Sequence, residues 1–340
     1  MPNIKDVARL ANVSIGTVSN ALTGNRAVSD DARQRILHAI DELGYQPDLV
    51  ARSLVNRRSN TLAVVTAGLE YYGTSRTLVG IEERARELGY SLMLHVLHNP
   101  EQMEALSVLS DYSSRRVDGI IWAVPEIGEN CAWIQEYKAL IPTIFLFMQT
   151  RLNVSVVTVN HYAGALEATQ HLIDQGRKKI AIIYGPSNWW VVKERINGWR
   201  DALTAAGQTP DQSLMVEGDW SAVSGERGLY ELLKRSPDID GILACNDQMA
   251  LGVLRATHKL KCPVPQRLAV VGFDNIPESG FFSPSLTTVH QRHKDLGRIA
   301  IEKLVEIIDA DLQQTQKMDH VFVNLIPELI IRESTDNIES

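Results

Sequence analysis

The stretch Asn3-Ile-Lys-Asp-Val-Ala-Arg-Leu-Ala-Asn-Val-Ser-Ile-Gly-Thr-Val-Ser-Asn-Ala-Leu22 constrains the fold more than any other, because it encodes two short helices and a tight turn between them. Asn3 is an N-cap residue whose side-chain oxygen can accept an orphan backbone N–H, and Asp6 stands where a capping-box partner belongs. Val7, Leu10 and Ala11 fall on one helical face. Ser14 caps a second helix whose apolar face is Val18, Ala21 and Leu22. Ala11-Asn-Val13 makes the turn, and Asn12 tolerates the left-handed backbone a tight turn needs. The pattern predicts a helix-turn-helix, in which the second helix lies in a DNA major groove with its first residues at base edges. A plain helical bundle is the alternative that this stretch alone leaves open.

The polar face of the second helix favours the DNA reading. Ser14, Thr17, Ser19 and Asn20 are short hydrogen-bonders that can approach phosphates and base edges. Ile15 and Gly16 are expected to be exposed at the helix start, where a thymine methyl is a fitting partner for Ile15. Ser29 caps a third helix, with Asp30 and Asp31 complementing its dipole, Ile36, Leu37, Ile40 and Leu43 as its apolar stripe and Gly44 as its end. The net charge of −7 argues against DNA only until its distribution is read. The first sixty residues hold eight basic and six acidic side chains, a net of +2, which leaves −9 for the rest. A mildly basic head on an acidic body suits an orientation-selective DNA binder. So weak a basic excess predicts modest affinity for one copy and a need for dimerisation.

Pro47 cannot continue a helix from before it, and Asp48 can cap a new one, so Leu49–Val55 reads as a helix of about two turns, too short to stand alone in water. At this point a resemblance becomes specific. Ile4-Lys-Asp-Val-Ala, Val13-Ser…Thr17-Val-Ser and Tyr45-x-Pro-x-x-x-Ala51-Arg-Ser-Leu54 resemble the N-terminal signature of the LacI/GalR family of bacterial transcriptional regulators. The resemblance implies that two such short helices, one per subunit, pair in the minor groove, with Leu54 as the wedge between base pairs and Ala51 at the close contact. An apolar wedge of this kind costs unstacking energy and is offset by the wider contact a bend allows. With Ser14, Ile15, Gly16, Thr17, Ser19, Asn20 and Ser29, these two residues complete the expected DNA-binding set.

From Thr61 the chain alternates short apolar runs with amphipathic segments. Strands are expected at Leu62–Val65, Ser91–Val96, Gly119–Ala123, Thr143–Phe147, Val156–Val159, Ile180–Tyr184, Gly241–Ala244 and Leu268–Gly272. Helices are expected at Leu78–Leu88, Gln102–Ser113, Ala132–Leu140, Ala163–Asp174, Lys193–Ala206, Gly225–Lys234, Met249–Thr257 and Asp295–Ile308. Such alternation argues for parallel sheets covered on both faces. The fold class expected is an all-α helix-turn-helix headpiece followed by an α/β, periplasmic-binding-protein-like body of two lobes. The expected divisions are a headpiece of 1–46, a hinge of 47–60 and a core of 61–340. Lobe one takes about 61–158 and 290–320, and lobe two about 159–289 and 321–334. Loops beyond the carboxyl ends of the strands should line the cleft.

Polar residues gather in those loops. Asn246-Asp247 follows one strand and Phe273-Asp274 another; Arg195 begins a helix and Glu217-Gly-Asp-Trp220 opens a loop. A carboxylate, an amide and a guanidinium around an aromatic face form the group set that holds a polyol ring. Each also has a plain reading: Asp247 as a cap, Asp274 as a turn residue, Trp220 as core. Asp247-Gln-Met-Ala-Leu-Gly252, Val271-Gly-Phe-Asp274 and Pro284-x-Leu-Thr-Thr-Val289 resemble the same family's core motifs, and Glu217-Gly-Asp-Trp-Ser-Ala-x-Ser-Gly225 resembles its lactose repressor branch in particular. The resemblance runs from Ile4 to about Arg332 and implies that Arg195, Asn246 and Asp274 hydrogen-bond the effector while Trp220 stacks on it. The chain departs from the family pattern at Phe147-Met-Gln149, at Val159-Asn-His161, at Ala67-Gly-Leu-Glu-Tyr-Tyr72 and at Trp189-Trp190. These departures favour a bulkier or less polar group at one end of the ligand.

Other chemistry is not expected. His290-x-x-His293 and His95-x-x-His98 are weak metal patterns, and no phosphate loop, dinucleotide fingerprint or nucleophile elbow is present. Cys131, Cys245 and Cys262 lack metal-ligand spacing and read as free thiols of a reducing, cytoplasmic protein. The expectation is a non-enzymatic, homodimeric repressor with no cofactor, catalytic residue or metal. Its partners are pseudo-palindromic operator DNA and a small carbohydrate, with no membrane. A periplasmic-type sugar-binding transport protein is the alternative.

Overall fold

The computed structural model describes residues 2–23, 27–45, 58–100, 105–137, 140–151, 153–312 and 319–336. The chain divides into two units, Met1–Ser59 and Asn60–Ser340.

The described residues of the first unit form three helices, α1 (Ile4–Leu10), α2 (Ile15–Thr23) and α3 (Asp30–Leu43). The local signals that predict them are made as hydrogen bonds. Lys5 N–H donates to Asn3 Oδ1 at 2.9 Å and Asn3 N–H to Asp6 Oδ2 at 3.0 Å, closing the capping box. Asn12 adopts φ +51° at the turn. Ser14 Oγ accepts from Thr17 N–H at 3.0 Å, and Ser29 Oγ from Ala32 N–H at 3.4 Å. Gly44, at φ +59°, ends α3 in the left-handed conformation. Val7, Ala8, Ala11, Val18, Ile36 and Ala39 form the core. Leu10 and Leu37, expected on apolar faces, are instead exposed at 44% and 58%. Three short helices cover only the innermost turn-to-turn row of each neighbour, and both leucines sit one step outside it. The expected hinge helix, with Ala51 and Leu54, lies outside the described residues.

The second unit holds two six-stranded sheets. In the first lobe β1 (Thr61–Ala67), β2 (Ser91–Leu97), β3 (Gly119–Ala123), β4 (Thr143–Phe145) and β5 (Ser155–Val159) are flanked by α4 (Tyr72–Glu87) and α5 (Ala105–Ser114). In the second, α6 (His161–Asp174), β6 (Ile180–Tyr184), α7 (Trp190–Ala205), β7 (Met215–Glu217), α8 (Ala222–Arg235), β8 (Gly241–Ala244), α9 (Asp247–Lys259), β9 (Ala269–Asp274) and β10 (Thr287–His290) follow in order. The chain then returns to lobe one with α10 (His293–Leu312) and β11 (Phe322–Leu325), and finishes in lobe two with β12 (Glu328–Ile330). The sheet orders are β2-β1-β3-β4-β5-β11 and β7-β6-β8-β9-β10-β12. Among the described sheet strands, every pairing is parallel except that of β10 with β12. The inner strands β3 and β5 are buried along their whole length because helices cover both faces.

Three expectations need correction. Where a helix is expected over Ala132–Leu140, the described residues form only the short 3-10 turn Ala132–Glu136, whose neighbouring aromatic residues pack inward on Trp122 and Phe145. The strand expected to reach Phe147 stops at Phe145, and Phe147 turns away at φ +56°. Residues 322–325, expected in lobe two, pair with β5 as the edge strand of the first sheet. Lobe crossings therefore fall after Val159, after His290 and between Leu325 and Glu328.

Helix packing brings α4 against α10 through a pair of glycines. A Cβ on Gly80 would lie 2.1 Å from the Lys294 carbonyl oxygen, and one on Gly297 2.2 Å from that of Thr77. The two backbones touch where no side chain fits. That close approach fixes the start of α10, and with it His293, beside the start of α4, and with it Tyr72.

Candidate functional site

The carboxyl ends of the strands in both lobes face one cavity of about 270 Å³. Lobe one contributes Glu70, Tyr71 and Tyr72 from the turn after β1, Pro125 after β3 and Phe147 after β4. Lobe two contributes His161, Trp189, Arg195, Asp219, Trp220, Asn246 and Asp274, and the crossing into α10 contributes Gln291 and His293. The four residues expected to hold an effector, Arg195, Trp220, Asn246 and Asp274, thus line a single space.

Arg195 sits in the second turn of α7 and is buried. One terminal nitrogen donates to the Cys245 carbonyl. The other lies 3.3 Å from His161 Nδ1 and 3.4 Å from Gln291 Oε1. The guanidinium carbon is 3.9 Å from the Phe273 ring centroid, a cation–π contact sheltered from water. Burial lowers the Arg195 pKa, while Asp274 and Asp247 favour its charged form. His161 is pushed well below the usual imidazole range by burial first and then by Arg195 and His293, so it is neutral.

Asp274 ends β9 with φ +118°, a backbone setting rare for a residue with a side chain. Gln291 Nε2 donates to its Oδ1, and His293 Nε2 is 3.6 Å from the same oxygen. Asp274 is therefore more than a turn residue: it joins the lobe-two strand end to the segment entering α10. Asn246 is the N-cap of α9. Its Oδ1 accepts from Met249 N–H at 2.8 Å and its Nδ2 donates to the Trp220 carbonyl at 2.9 Å. One donor and one acceptor position of its amide remain.

The cap reading of Asp247 is corrected by the same geometry, since Asn246 holds that place. Asp247 is fully buried and accepts from Ile276 N–H at 2.8 Å and Thr288 Oγ1 at 2.5 Å, bracing the ends of β9 and β10. Burial, with Asp274 nearby, pushes its carboxyl up to about 8.

Trp220 packs against backbone: a Cβ on Gly185 would lie 2.1 Å from its ring. Trp189 meets Trp220 edge-on with centroids 5.7 Å apart, and Tyr71 meets Trp189 edge-on at 5.5 Å, so three rings run from lobe two to lobe one. Tyr72 is edge-on to His293 at 6.0 Å. Arg195 Nε, Trp220 Nε1 and both ring nitrogens of His293 are buried on this wall with no hydrogen-bond partner among the described residues. Such orphaned donors are costly unless a ligand or water meets them.

Sequence reasoning did not select Gln291, His293, Tyr71 or Tyr72 for the site. Tyr71-Tyr72 directly after a strand was the available signal. His293 read as part of a linker, and its partner in the His-x-x-His pattern, His290, turns away to Asn275 at 3.3 Å.

In the first unit the expected DNA-facing residues share the start of α2. Ser14, Ile15 and Gly16 are exposed, and Thr17, Ser19 and Asn20 are half-buried. The Ser14 and Thr17 hydroxyls bond each other at 2.8 Å. Ser29 is exposed at the start of α3.

Comparison with known proteins gives matches to both units. A family model described as bacterial regulatory proteins, lacI family, matches residues 3–48, and one described as a periplasmic binding protein-like domain matches 169–335. The HTH-type transcriptional repressor PurR of Haemophilus influenzae (strain ATCC 51907 / DSM 11121 / KW20 / Rd) is 33% identical over 341 residues, covering 99% of this chain and 100% of that protein. The ribose operon repressor of Escherichia coli (strain K12) is 32% identical over 319 residues, covering 94% and 96%. Among solved structures, the lac repressor bound to ONPG in the repressed state superimposes with a TM-score of 0.86 at 28% identity, covering 98% of this chain and 99% of that one. A complex of the transcriptional regulator CelR with cellobiose gives 0.71 at 30% identity, covering 98% and 100%.

Proposed function

The chain belongs to the lacI family of bacterial regulatory proteins, and from that premise we propose that it is a sequence-specific transcriptional repressor whose hold on its operator is set by a small carbohydrate bound in the cavity of its second unit. The observation that carries this reading is the joining, in one chain, of a capped helix-turn-helix to a body whose two lobes meet around an aromatic, hydrogen-bonding cavity. The chain performs no chemical step; its chemistry is recognition.

Residues 1–46 form the headpiece, 47–60 the hinge and 61–340 the core. Ile15, Gly16 and Asn20 select the operator, Ser14, Thr17, Ser19 and Ser29 place the headpiece on the phosphates, and Ala51 with Leu54 of two subunits meet the minor groove. Two headpieces of a homodimer read the two halves of a pseudo-palindrome. The protein works in the cytoplasm. Among the described residues no helix is long and apolar enough to cross a membrane.

Arg195, Asn246 and Asp274 hydrogen-bond the effector and Trp220 covers its C–H face. Binding changes operator affinity only through a difference in the effector's affinity for two arrangements of the lobes, and a cavity walled by both lobes supplies that difference. The test is anisotropy of a labelled pseudo-palindromic operator with full-length protein across a salt series, with and without saccharides. The expected result is sequence-specific binding that weakens steeply with salt and shifts on adding one saccharide. Binding that ignores sequence at every salt concentration, or an operator affinity that no saccharide moves, refutes the proposal.

A further inference from the structure

Resting on the reading of this cavity as the effector site, we infer that the effector is a non-phosphorylated saccharide with two rings, a disaccharide or an aryl glycoside, rather than a sugar phosphate or a free nucleobase.

The charge of the wall carries the first half. Glu70, Asp219 and Asp274 line the cavity, and Arg195 is the one guanidinium or ammonium group among the lining residues. A phosphate is best held by a guanidinium that offers a free two-pronged fork. Both terminal nitrogens of Arg195 are already engaged, by the Cys245 carbonyl and by His161 and Gln291. Its face is covered by Phe273. Helix starts could otherwise attract an anion. Those of α8 and α9 are capped by Ser221 and Asn246, whose side chains take the N–H groups of Ser224 and Met249. Glu70 directly precedes the Tyr71 N-cap of α4 and Asp219 stands two residues before the Ser221 N-cap of α8, so negative charge already lies beside both helix starts. An entering phosphate meets three carboxylates and a guanidinium whose two terminal nitrogens are already engaged.

The shape of the wall carries the second half. The N-cap residues of α4 and α7 are Tyr71 and Trp189, neither making a side-chain cap bond, and their rings meet edge-on across the lobes. With Trp220 they make one aromatic wall, and Tyr72 beside His293 makes a second. The cavity, at about 270 Å³, lies just under the range of pockets that bury drug-sized ligands. The polar groups Arg195, His161, Gln291 and Asp274 are linked to one another, and two separate aromatic surfaces suit two ring faces better than the single plane of a base.

The test is titration calorimetry of the full-length chain with glucose, galactose, their 6-phosphates, the neutral disaccharides cellobiose, maltose, lactose and melibiose, nitrophenyl glycosides, hypoxanthine and guanine. At least one two-ring saccharide should bind about tenfold or more tighter than its own monosaccharide, and the 6-phosphates should show no heat. Trp189→Ala should erase that advantage. Glu70→Gln with Asp219→Asn should raise affinity for a 6-phosphate. If a 6-phosphate or a base is the tightest ligand, or the second ring adds nothing, the inference falls and the carbohydrate-repressor reading is judged separately by its operator assay. If the double variant still rejects 6-phosphates as wild type does, the charge argument falls. If no saccharide binds at all, the effector reading itself fails and takes the inference with it.

Discussion

Ile127 of lobe one and Trp189 of lobe two pair as an isolated antiparallel β-bridge. The flanking bonds run from Gly128 N–H to the Asn188 carbonyl at 2.9 Å and from Trp190 N–H to the Glu126 carbonyl at 3.1 Å. Glu126 is held in turn by Arg151 at 2.6 Å and by Gln149. Trp189 also walls the cavity, so one residue both bridges the lobes and lines the space between them.

Removing one bond of this clasp should loosen the closed arrangement. Trp190 is the first residue of α7, where proline is tolerated and its missing N–H leaves the helix intact. Trp190→Pro should weaken effector binding by about 0.5–1.5 kcal/mol beyond Trp190→Ala, the control for loss of the ring against His161. Calorimetry of both variants gives the comparison, and equal losses would discount the clasp.

Arg195→Met should lower stability by about 2–4 kcal/mol in denaturant unfolding, because it strands the buried Cys245 carbonyl and removes the contact with Phe273. Effector binding should fall with it. Arg195→Lys should recover part of the stability and little of the binding, since an ammonium cannot reach the carbonyl, His161 and Gln291 together.

Gly185→Ala should mimic damage to Trp220 without touching it. The added methyl collides with the indole ring, and relief by displacing the ring should cost about 1–3 kcal/mol of stability. Tryptophan fluorescence should shift, and effector affinity should drop about as far as in Trp220→Ala while circular dichroism is preserved.

The pH dependence of stability follows from two buried groups. His161 has a lowered pKa, so below about 6.5 the unfolded chain takes up a proton that the folded chain resists, and stability falls as pH drops from there. Asp247 has a raised pKa, about 8, so the folded chain holds a proton the unfolded chain has lost above its ordinary 3.8. Its contribution declines as pH rises through that interval and levels off above about 8. His161→Gln should flatten the acid limb and Asp247→Asn the alkaline one, read from urea midpoints across pH.

In the headpiece, Asn3→Ala should cost about 1 kcal/mol by opening the capping box, seen as a lower melting temperature of the first transition. Ile15→Ala, at a site 45% exposed, should leave stability within about 0.5 kcal/mol and relax operator choice instead. A change in melting without a change in operator preference would mark Ile15 as packing.

The headpiece was legible in the sequence because everything that makes it is local. Asn3, Asp6, Asn12, Ser14, Ser29 and Gly44 act on neighbours three or four residues away, and those bonds form as the spacing predicts. The alternation of strands and helices was legible for the same reason, since buried parallel strands and their covering helices each write their own period. Pairing at a distance writes none. Nothing along the chain moves Phe322–Leu325 out of the lobe two expected for it; only its register against Ser155–Val159 assigns it to the first sheet. Gln291 and His293 join Arg195 and Asp274 because a glycine contact between α4 and α10 seats the crossing segment beside the cavity. Asn246 is mostly engaged within its own lobe for a reason equally invisible along the chain: the Trp220 carbonyl arrives from another loop. What short-range physics decides, the sequence states; which distant side chains share a wall is settled only when packed backbones bring them together.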